Sequence, residues 1–184
     1  MESVNPDADQ VIAQTRQWIT NVVIACNFCP FAAREVKRGS IHYQVDMSTD
    51  PKMALQAFLQ ECRRLDAQNT IETTLLILPR AAGLFPRYLE LVRQAERLLH
   101  KYGYSGVYQV ATFHPDYLFA TAEMDDAANY TNRSPWPMLH LLRESSIEQA
   151  LARYADPDKI PERNISFARE KGTAYMKLLR DSCL

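Results

Sequence analysis

Residues 73–78 (TTLLIL) are apolar or β-branched at every position, and this run constrains the fold more than any other segment. A strand of this composition is typical of the middle of a parallel sheet, where both faces are buried. Amphipathic helical patterns lie on either side of it, one beginning at Asp50-Pro51 and one near Pro86. Two further strand patterns lie beyond these helices, at 40–47 and 106–113. This β-α-β-α-β order predicts right-handed crossovers and a mostly parallel sheet.

The remaining patterns complete a predicted α/β fold. Helical spacing predicts a first helix over 7–26 and a last helix over 161–180, which flank the sheet. Residues 138–142 are predicted to add a fourth, antiparallel strand, followed by a short helix. The absence of repeats and linkers predicts one domain over 1–184, with residues 1–6 disordered. An α+β arrangement of the same elements stays open.

Composition and charge narrow the class of protein. The chain has 184 residues, is 47% hydrophobic and carries a net charge of −1, which suits a soluble domain with a sizeable core. Because no Lys/Arg block occurs, nucleic acid is not an expected partner. No apolar run approaches the ~20 residues that cross a bilayer, and the acidic N-terminus is unlike a signal peptide. Four cysteines do not make a disulfide scaffold at this length, so we expect a cytoplasmic protein with reduced thiols.

The predicted topology collects polar side chains at one edge of the sheet. Ligands in open α/β sheets bind at the carboxyl ends of the strands. The second strand ends at Arg80, the third ends at His114, and the irregular 115–136 loop leaves from the same edge. An antiparallel fourth strand returns the end of this loop to that edge. The residues collected there are Arg80, His114, Asp116, Asn132, Arg133, Ser134 and Trp136.

These residue types suit a site for a small anionic molecule. Arg80 and Arg133 carry forked donors that match a carboxylate or phosphate. His114 is the candidate general base and Asp116 its orienting partner, while Cys29 is a candidate nucleophile if the first loop reaches this edge. In the alternative interpretation His114 bonds to the backbone and Arg133 pins the loop to nearby carboxylates. The predicted substrate-binding residues are Arg80, Asn132, Arg133, Ser134 and Trp136.

Cysteine and histidine spacing leaves a metal or thiol-redox site as a further alternative. A redox CxxC follows a strand and opens a helix, whereas Cys26 and Cys29 follow a predicted helix, so a structural thiol pair also stays open. Pro30 would allow Cys29 to lie at a helix N-cap and be partly activated. Cys29, His114 and His140 form the alternative ligand set, with zinc as the metal, but they lack a metal-binding spacing. His140 lies between two leucines, which favours a core histidine.

A non-catalytic hypothesis uses the same loop. Residues 115–137 would form a surface for a protein partner, with Trp136, Tyr117 and Tyr130 as aromatic anchors. Nucleotide-dependent chemistry of the common types is not expected, because neither GxGxxG nor GxxxxGK[ST] occurs, and no cofactor is implied by a motif.

Three specific segments, 29–32 (CPFA), 113–117 (FHPDY) and 132–144 (NRSPWPMLHLLRE), stand out in the chain. They resemble the hallmark motifs of a bacterial family catalogued only as a domain of unknown function, and the resemblance covers nearly the whole chain. It implies no reaction, cofactor or catalytic residue. The sequence therefore predicts a small α/β enzyme or ligand-binding protein for a small anionic molecule, with its site at the carboxyl edge of the strands.

Overall fold

The computed structural model describes residues 6–154 and 156–184, which form a four-stranded sheet with helices on both faces. The predicted α/β class is confirmed. The strands are β1 (Ile41–Val45), β2 (Thr73–Ile77), β3 (Tyr108–Phe113) and β4 (Met138–Arg143). The α-helices are α1 (Ala8–Trp18), α2 (Ala32–Arg38), α3 (Pro51–Ala67), α4 (Phe85–Lys101), α5 (Glu144–Leu151), α6 (Ile160–Lys171) and α7 (Thr173–Asp181). A π-helical segment spans Ile19–Ile24, and short 3-10 helices span Ala127–Thr131 and Pro157–Lys159.

The strands lie in the order β1-β2-β4-β3. β1 and β2 pair in parallel, and β4 pairs antiparallel with both β2 and β3. The antiparallel fourth strand is thus confirmed, but it separates β2 from β3, which are not paired neighbours. The reason is its composition, since Met138, Leu139 and Leu141 on its two faces have no exposed area and belong inside a sheet. β1, β2 and β3 still point the same way, so their carboxyl ends share one edge.

Helices α3 and α4 cover the first face of the sheet. Phe58 from α3 and Tyr88 from α4 are fully buried and pack in one cluster with Leu76 of β2 and Leu139 of β4. Helix α3 begins at its predicted cap, where the Asp50 carboxylate accepts a hydrogen bond from a backbone N–H of the first turn. This side of the sheet is a filled hydrophobic core.

The second face of the sheet is covered less evenly. Near the carboxyl ends of β1–β3, Ile77 and Met138 pack against Val11 and Trp18 of α1 and Met176 of α7. Toward the amino ends of the same strands, the sheet faces the π-helical segment, α2 and α5 across a cavity. The second face is therefore filled at one end and hollow at the other.

Two predicted helices are interrupted. The helix predicted over 7–26 begins after its cap Asp7, runs as α1 and then continues in the π-helical segment. The helix predicted over 161–180 divides into α6 and α7 at Gly172, whose φ of 80° is a conformation that glycine adopts without strain. Single π-helical turns are frequent at functional sites, and this one borders the cavity.

Two other expectations concern the membrane and the N-terminus. Across residues 6–154 and 156–184, no helix is long and apolar enough to cross a membrane. The predicted disorder over 1–6 falls mostly on residues 1–5, which lie outside the described residues.

Candidate functional site

His114 lies at the carboxyl end of β3 and is fully buried. Its Nε2–H donates to the carbonyl oxygen of Ala82 at 2.9 Å, and its Nδ1 accepts the backbone N–H of Asp116 at 2.9 Å. Burial lowers the pKa of the imidazole, against the Ala82 hydrogen bond and the Asp116 charge, which act to raise it. Both ring nitrogens are therefore occupied in the neutral state, and no lone pair is free to act as a general base. The geometry fits the backbone-bonding alternative.

Asp116 and Arg80 do not form the predicted arrangement around this imidazole. Asp116 is exposed and contacts His114 through its backbone N–H rather than its carboxylate. Arg80 is also exposed, two residues before the carbonyl that His114 binds. The imidazole is thus oriented by the main chain of two loops.

Arg133 pins the 115–136 loop. Its Nε donates to the carbonyl oxygen of Tyr117 at 3.0 Å, its Nη2 donates to that of Met124 at 3.1 Å, and its guanidinium lies 4.7 Å from the ring centre of Tyr130. The predicted acceptors were side-chain carboxylates of this loop, but the acceptors are main-chain carbonyls. Because two of its N–H groups already donate to these carbonyls, fewer of the guanidinium donors remain for an anion.

Asn132, Ser134 and Trp136 are bonded within the fold as well. The Asn132 Nδ2 donates to the carbonyl oxygen of Thr112 at 3.0 Å, and the buried Ser134 Oγ donates to that of Trp136 at 2.6 Å. The indole Nε1 of Trp136 donates to the Gln14 side chain at 3.0 Å and fastens the loop to α1. We call His114, Asn132, Arg133, Ser134 and Trp136 the strand-end network.

The aromatic anchors proposed for a protein partner are similarly engaged. Tyr130 is only 4% exposed, with Arg133 and Arg180 both over its ring. Tyr117 packs against the rings of Phe85 and Phe119. These side chains hold the loop in place.

A cavity of about 300 Å³ lies on the second face of the sheet, toward the amino ends of β1–β3. Its floor comes from alternate residues of the strands, where Ala111 of β3 lies opposite His140 of β4. The small side chain of Ala111 leaves space above the sheet. The walls and roof include Trp18, the π-helical segment, the start of α2 and residues of α5. We call this space the sheet-face cavity.

Cys29 enters the sheet-face cavity because the preceding helix ends sharply. Asn27 has a φ of 55°, and the backbone N–H groups of Asn27 and Phe28 donate to the carbonyls of Ile24 and Val23. This is a Schellman ending, which turns the chain toward the sheet. Burial raises the pKa of the Cys29 thiol, against hydrogen bonds from the backbone N–H groups of Phe31 and Ala32, which act to lower it. The N-cap of α2 is Phe31, so Cys29 does not hold the activated cap position considered from the sequence.

His140 is the imidazole that this cavity contains. Thr73 donates its hydroxyl hydrogen to the carbonyl of Leu141, so the His140 Nε2–H must donate to the Thr73 Oγ1, 2.7 Å away. The Nδ1 lone pair then remains, and it has no partner among the described residues. Burial lowers the pKa of His140 to about 4, which keeps the ring neutral at pH 7. The histidine expected to be a satisfied core residue is therefore half satisfied and lines a cavity.

Two acidic residues, Glu35 and Glu72, also line the cavity. The Glu35 carboxylate accepts hydrogen bonds from Ser40 Oγ and Arg34 Nε, both at 2.6 Å. Burial acts to raise the pKa of Glu35, but these bonds and the arginine charges outweigh it, and the pKa is lowered. By contrast, the Glu72 Oε1 and the Trp18 Nε1 are buried with no hydrogen-bond partner in the described part of the chain. Native proteins seldom leave such atoms unpaired.

The structure divides the predicted site residues between two places. Cys29 and His140 line the sheet-face cavity, whereas His114 lies in the strand-end network, so the alternative metal set does not come together. Among residues 6–154 and 156–184, no group of three or more His, Cys, Asp or Glu side chains is placed to hold a metal ion. The condition for Cys29 to join His114 as a nucleophile is likewise not met.

Sequence reasoning missed Trp18, Glu72 and Ala111 as cavity residues. The signal for Ala111 was strand alternation, which places a small residue at 111 opposite 140 once the register is known. Trp18 lies within the helix predicted over 7–26, but helical spacing does not reveal that its N–H lacks a partner among the described residues.

Fold and site together define an α/β protein with an apolar cavity on one face of a four-stranded mixed sheet. The chain belongs to the family described as "Protein of unknown function (DUF1415)", whose model matches residues 10–178. The resemblance noted from the motifs is thereby confirmed at the level of the family. Neither a curated protein nor a solved structure matches the chain.

Proposed function

We propose that this protein binds a small, mainly apolar molecule in the sheet-face cavity. The observation that carries the proposal is a cavity of about 300 Å³ lined mainly by apolar side chains, beside which the Nδ1 of His140 has no partner among the described residues. Ligand sites are commonly apolar hollows of this size or larger with a few placed polar groups. A space that served only packing would be expected to close, because core voids are destabilising.

The strand-end network is the weaker candidate for a ligand site. Arg133 and Asn132 already donate to main-chain carbonyls, so fewer of their N–H groups remain for an anion there. Turning these bonded N–H groups toward an anion would leave the carbonyls without donors, which costs free energy when they are shielded from water. Small-molecule binding is therefore proposed at the other end of the sheet from the edge that the sequence indicated.

We also place the protein in a reducing compartment such as the cytoplasm. All four cysteines are free thiols, and Cys62 and Cys183 are buried. Burial raises the pKa of Cys62 to about 12, so this thiol stays protonated and unreactive. Such thiols suit a cell interior.

The experiment is a thermal-shift screen of metabolites against the wild type and Ala111→Leu. The larger side chain projects into the cavity, so a compound that stabilises the wild type should fail to shift the variant. Ala174→Leu is the matched control, because Ala174 is exposed on α7, and it should respond like the wild type. Hits that shift Ala111→Leu equally, or the absence of any hit in a broad library, would contradict the proposal.

A further inference from the structure

Taking the proposed cavity site as given, we infer that its ligand is an amphipathic monocarboxylate, with an apolar body inside the cavity and its carboxylate at the mouth. Two features of the cavity lead to this class of ligand. The lining changes from apolar to polar along the strands, and an arginine at the polar end keeps donors without partners. The proposed function is thereby narrowed to one kind of molecule.

The lining of the sheet-face cavity changes character along β3. Alternate side chains of a strand share a face, and Phe113, Ala111 and Gln109 all line the cavity. Phe113 packs edge-on against Trp18, with 5.2 Å between the ring centres, and these two rings lie at the inner end. Gln109, about 13 Å away along the strand, is exposed and lies at the mouth. The apolar part of a ligand therefore fits inside, and its polar group belongs at the amino end of the strand.

Arg34 of α2 carries a positive charge at this mouth. It lines the cavity, and its side chain is 54% exposed. Its Nε donates to Glu35 Oε1 at 2.6 Å, which orients the guanidinium. Its Nη1 and Nη2 have no acceptor among the described residues, so this edge of the guanidinium is free. One such edge matches the two oxygens of one carboxylate.

Glu35 does not reverse the charge at the mouth. Its side chain is only 11% exposed, and its oxygens accept hydrogen bonds from Arg34 Nε and Ser40 Oγ, both at 2.6 Å. The Nη1 of Arg38 lies 3.8 Å from the same carboxylate, so two arginines face one glutamate and one positive charge is left over. A single excess charge suits a ligand with one negative charge.

The inner part of the cavity favours the opposite end of such a ligand. The Nε2–H of His140 donates to Thr73, so its Nδ1 presents a lone pair. A carboxylate placed there would meet an acceptor and would lose its water, which is costly for a charged group. The Glu72 Oε1 is buried and does not face the cavity. The carboxylate is therefore better placed beside Arg34, where water still reaches it.

The test compares four probes, which are octanoate, 1-octanol, octylamine and acetate. Isothermal titration of the full chain at pH 7 should show octanoate binding about tenfold more tightly than octylamine and about fivefold more tightly than 1-octanol. Acetate, which has no apolar body, should not bind measurably, and Ala111→Leu should abolish octanoate binding.

Binding of 1-octanol or octylamine as tightly as octanoate would overturn the inference while leaving the cavity site standing. Acetate binding as tightly as octanoate would also overturn it, because the apolar body would then contribute nothing. If none of the four binds but hits of the metabolite screen still depend on Ala111, the inference fails alone. If such hits are absent as well, the proposed function fails with it.

Arg34→Gln tests the position of the carboxylate, with Arg38→Gln as the matched control. Both arginines are on α2, are similarly exposed at 54% and 56%, and lie beside Glu35, but only Arg34 lines the cavity in the described part of the chain. Arg34→Gln should weaken octanoate binding about fivefold and leave 1-octanol binding unchanged, whereas Arg38→Gln should change neither by more than about twofold. Unchanged octanoate affinity in a folded Arg34→Gln protein would overturn the inference. Equal losses in the two variants would also overturn it, because they would show a general effect of charge instead of a contact at the mouth.

Discussion

The strand-end network and the sheet-face cavity use the same residue types in opposite ways. His114 has a partner at each ring nitrogen, whereas His140 has a partner at one and presents the other to a hollow space. Arg133 is tied to main-chain carbonyls, whereas the buried Glu72 oxygen is tied to nothing in the described residues. A cluster of polar side chains is thus a poor sign of a binding site unless some of its atoms lack partners.

The largest expected effect separates the two histidines. His114→Ala should lower the free energy of unfolding by about 3–5 kcal/mol, because it empties a filled core position and strands two backbone partners. His140→Ala removes a half-buried ring and one hydrogen bond, and should cost about 1 kcal/mol. Urea denaturation followed by circular dichroism measures both. Equal losses would mean that the contrast between the two regions is wrong.

The next effect is the pH dependence of stability. The folded-state pKa of His140 is about 4, below the ordinary value of about 6.5, so the unfolded chain binds a proton first as the pH falls. The contribution of neutral His140 to the free energy of unfolding should be fully present above pH 6.5. It should decrease by up to about 1.4 kcal/mol per pH unit between pH 6.5 and 4. The lowered pKa of His114 acts in the same direction.

His140→Gln separates the two contributions. The variant should show a shallower decrease in stability over that pH range, with the remaining slope assigned to His114. Carboxylates with lowered pKa, such as Glu35, lose their contribution at lower pH, as they protonate. Identical slopes in the wild type and the variant would show that His140 is not held neutral by burial.

A smaller effect distinguishes structural from ligand-binding arginines. Arg133→Lys should cost about 1–2 kcal/mol of stability, because an ammonium cannot span the two carbonyls and stack on Tyr130 as the guanidinium does. Arg80→Lys, at an exposed position, should change stability by less than about 0.5 kcal/mol. Neither change should weaken a ligand of the cavity. Loss of ligand affinity in a stable Arg133→Lys protein would indicate that the ligand binds at the strand-end network instead of the cavity.

Local patterns predicted most of the fold. The apolar run at 73–78, the Asp50 cap and the strand alternation at 40–47 report short-range preferences that tertiary packing reinforced. The position of β4 was not predictable in the same way, because sequence spacing does not say which strands pair. Only the burial of Leu139 and Leu141 from one face, and of Met138 from the other, reveals an interior strand.

The proposed cavity was not predictable from the sequence for a related reason. The rule that ligands bind at the carboxyl ends of strands assumes a crevice there, and in this chain the 115–136 loop fills that edge with its own hydrogen bonds. The cavity depends on absences: Ala111 has only a small side chain, and the Nδ1 of His140 has no partner in the described part of the chain. Sequence patterns report which groups are present, but not which of them stay unpaired.

The most direct test of this account is an amide NMR titration of the wild type with the tightest-binding small molecule from the screen. The account predicts that backbone signals of Ala111, His140 and Cys29 shift with ligand, while those of Ala82, His114 and Arg133 stay in place. Shifts confined to Ala82, His114 and Arg133 would contradict it and assign the ligand to the strand-end network.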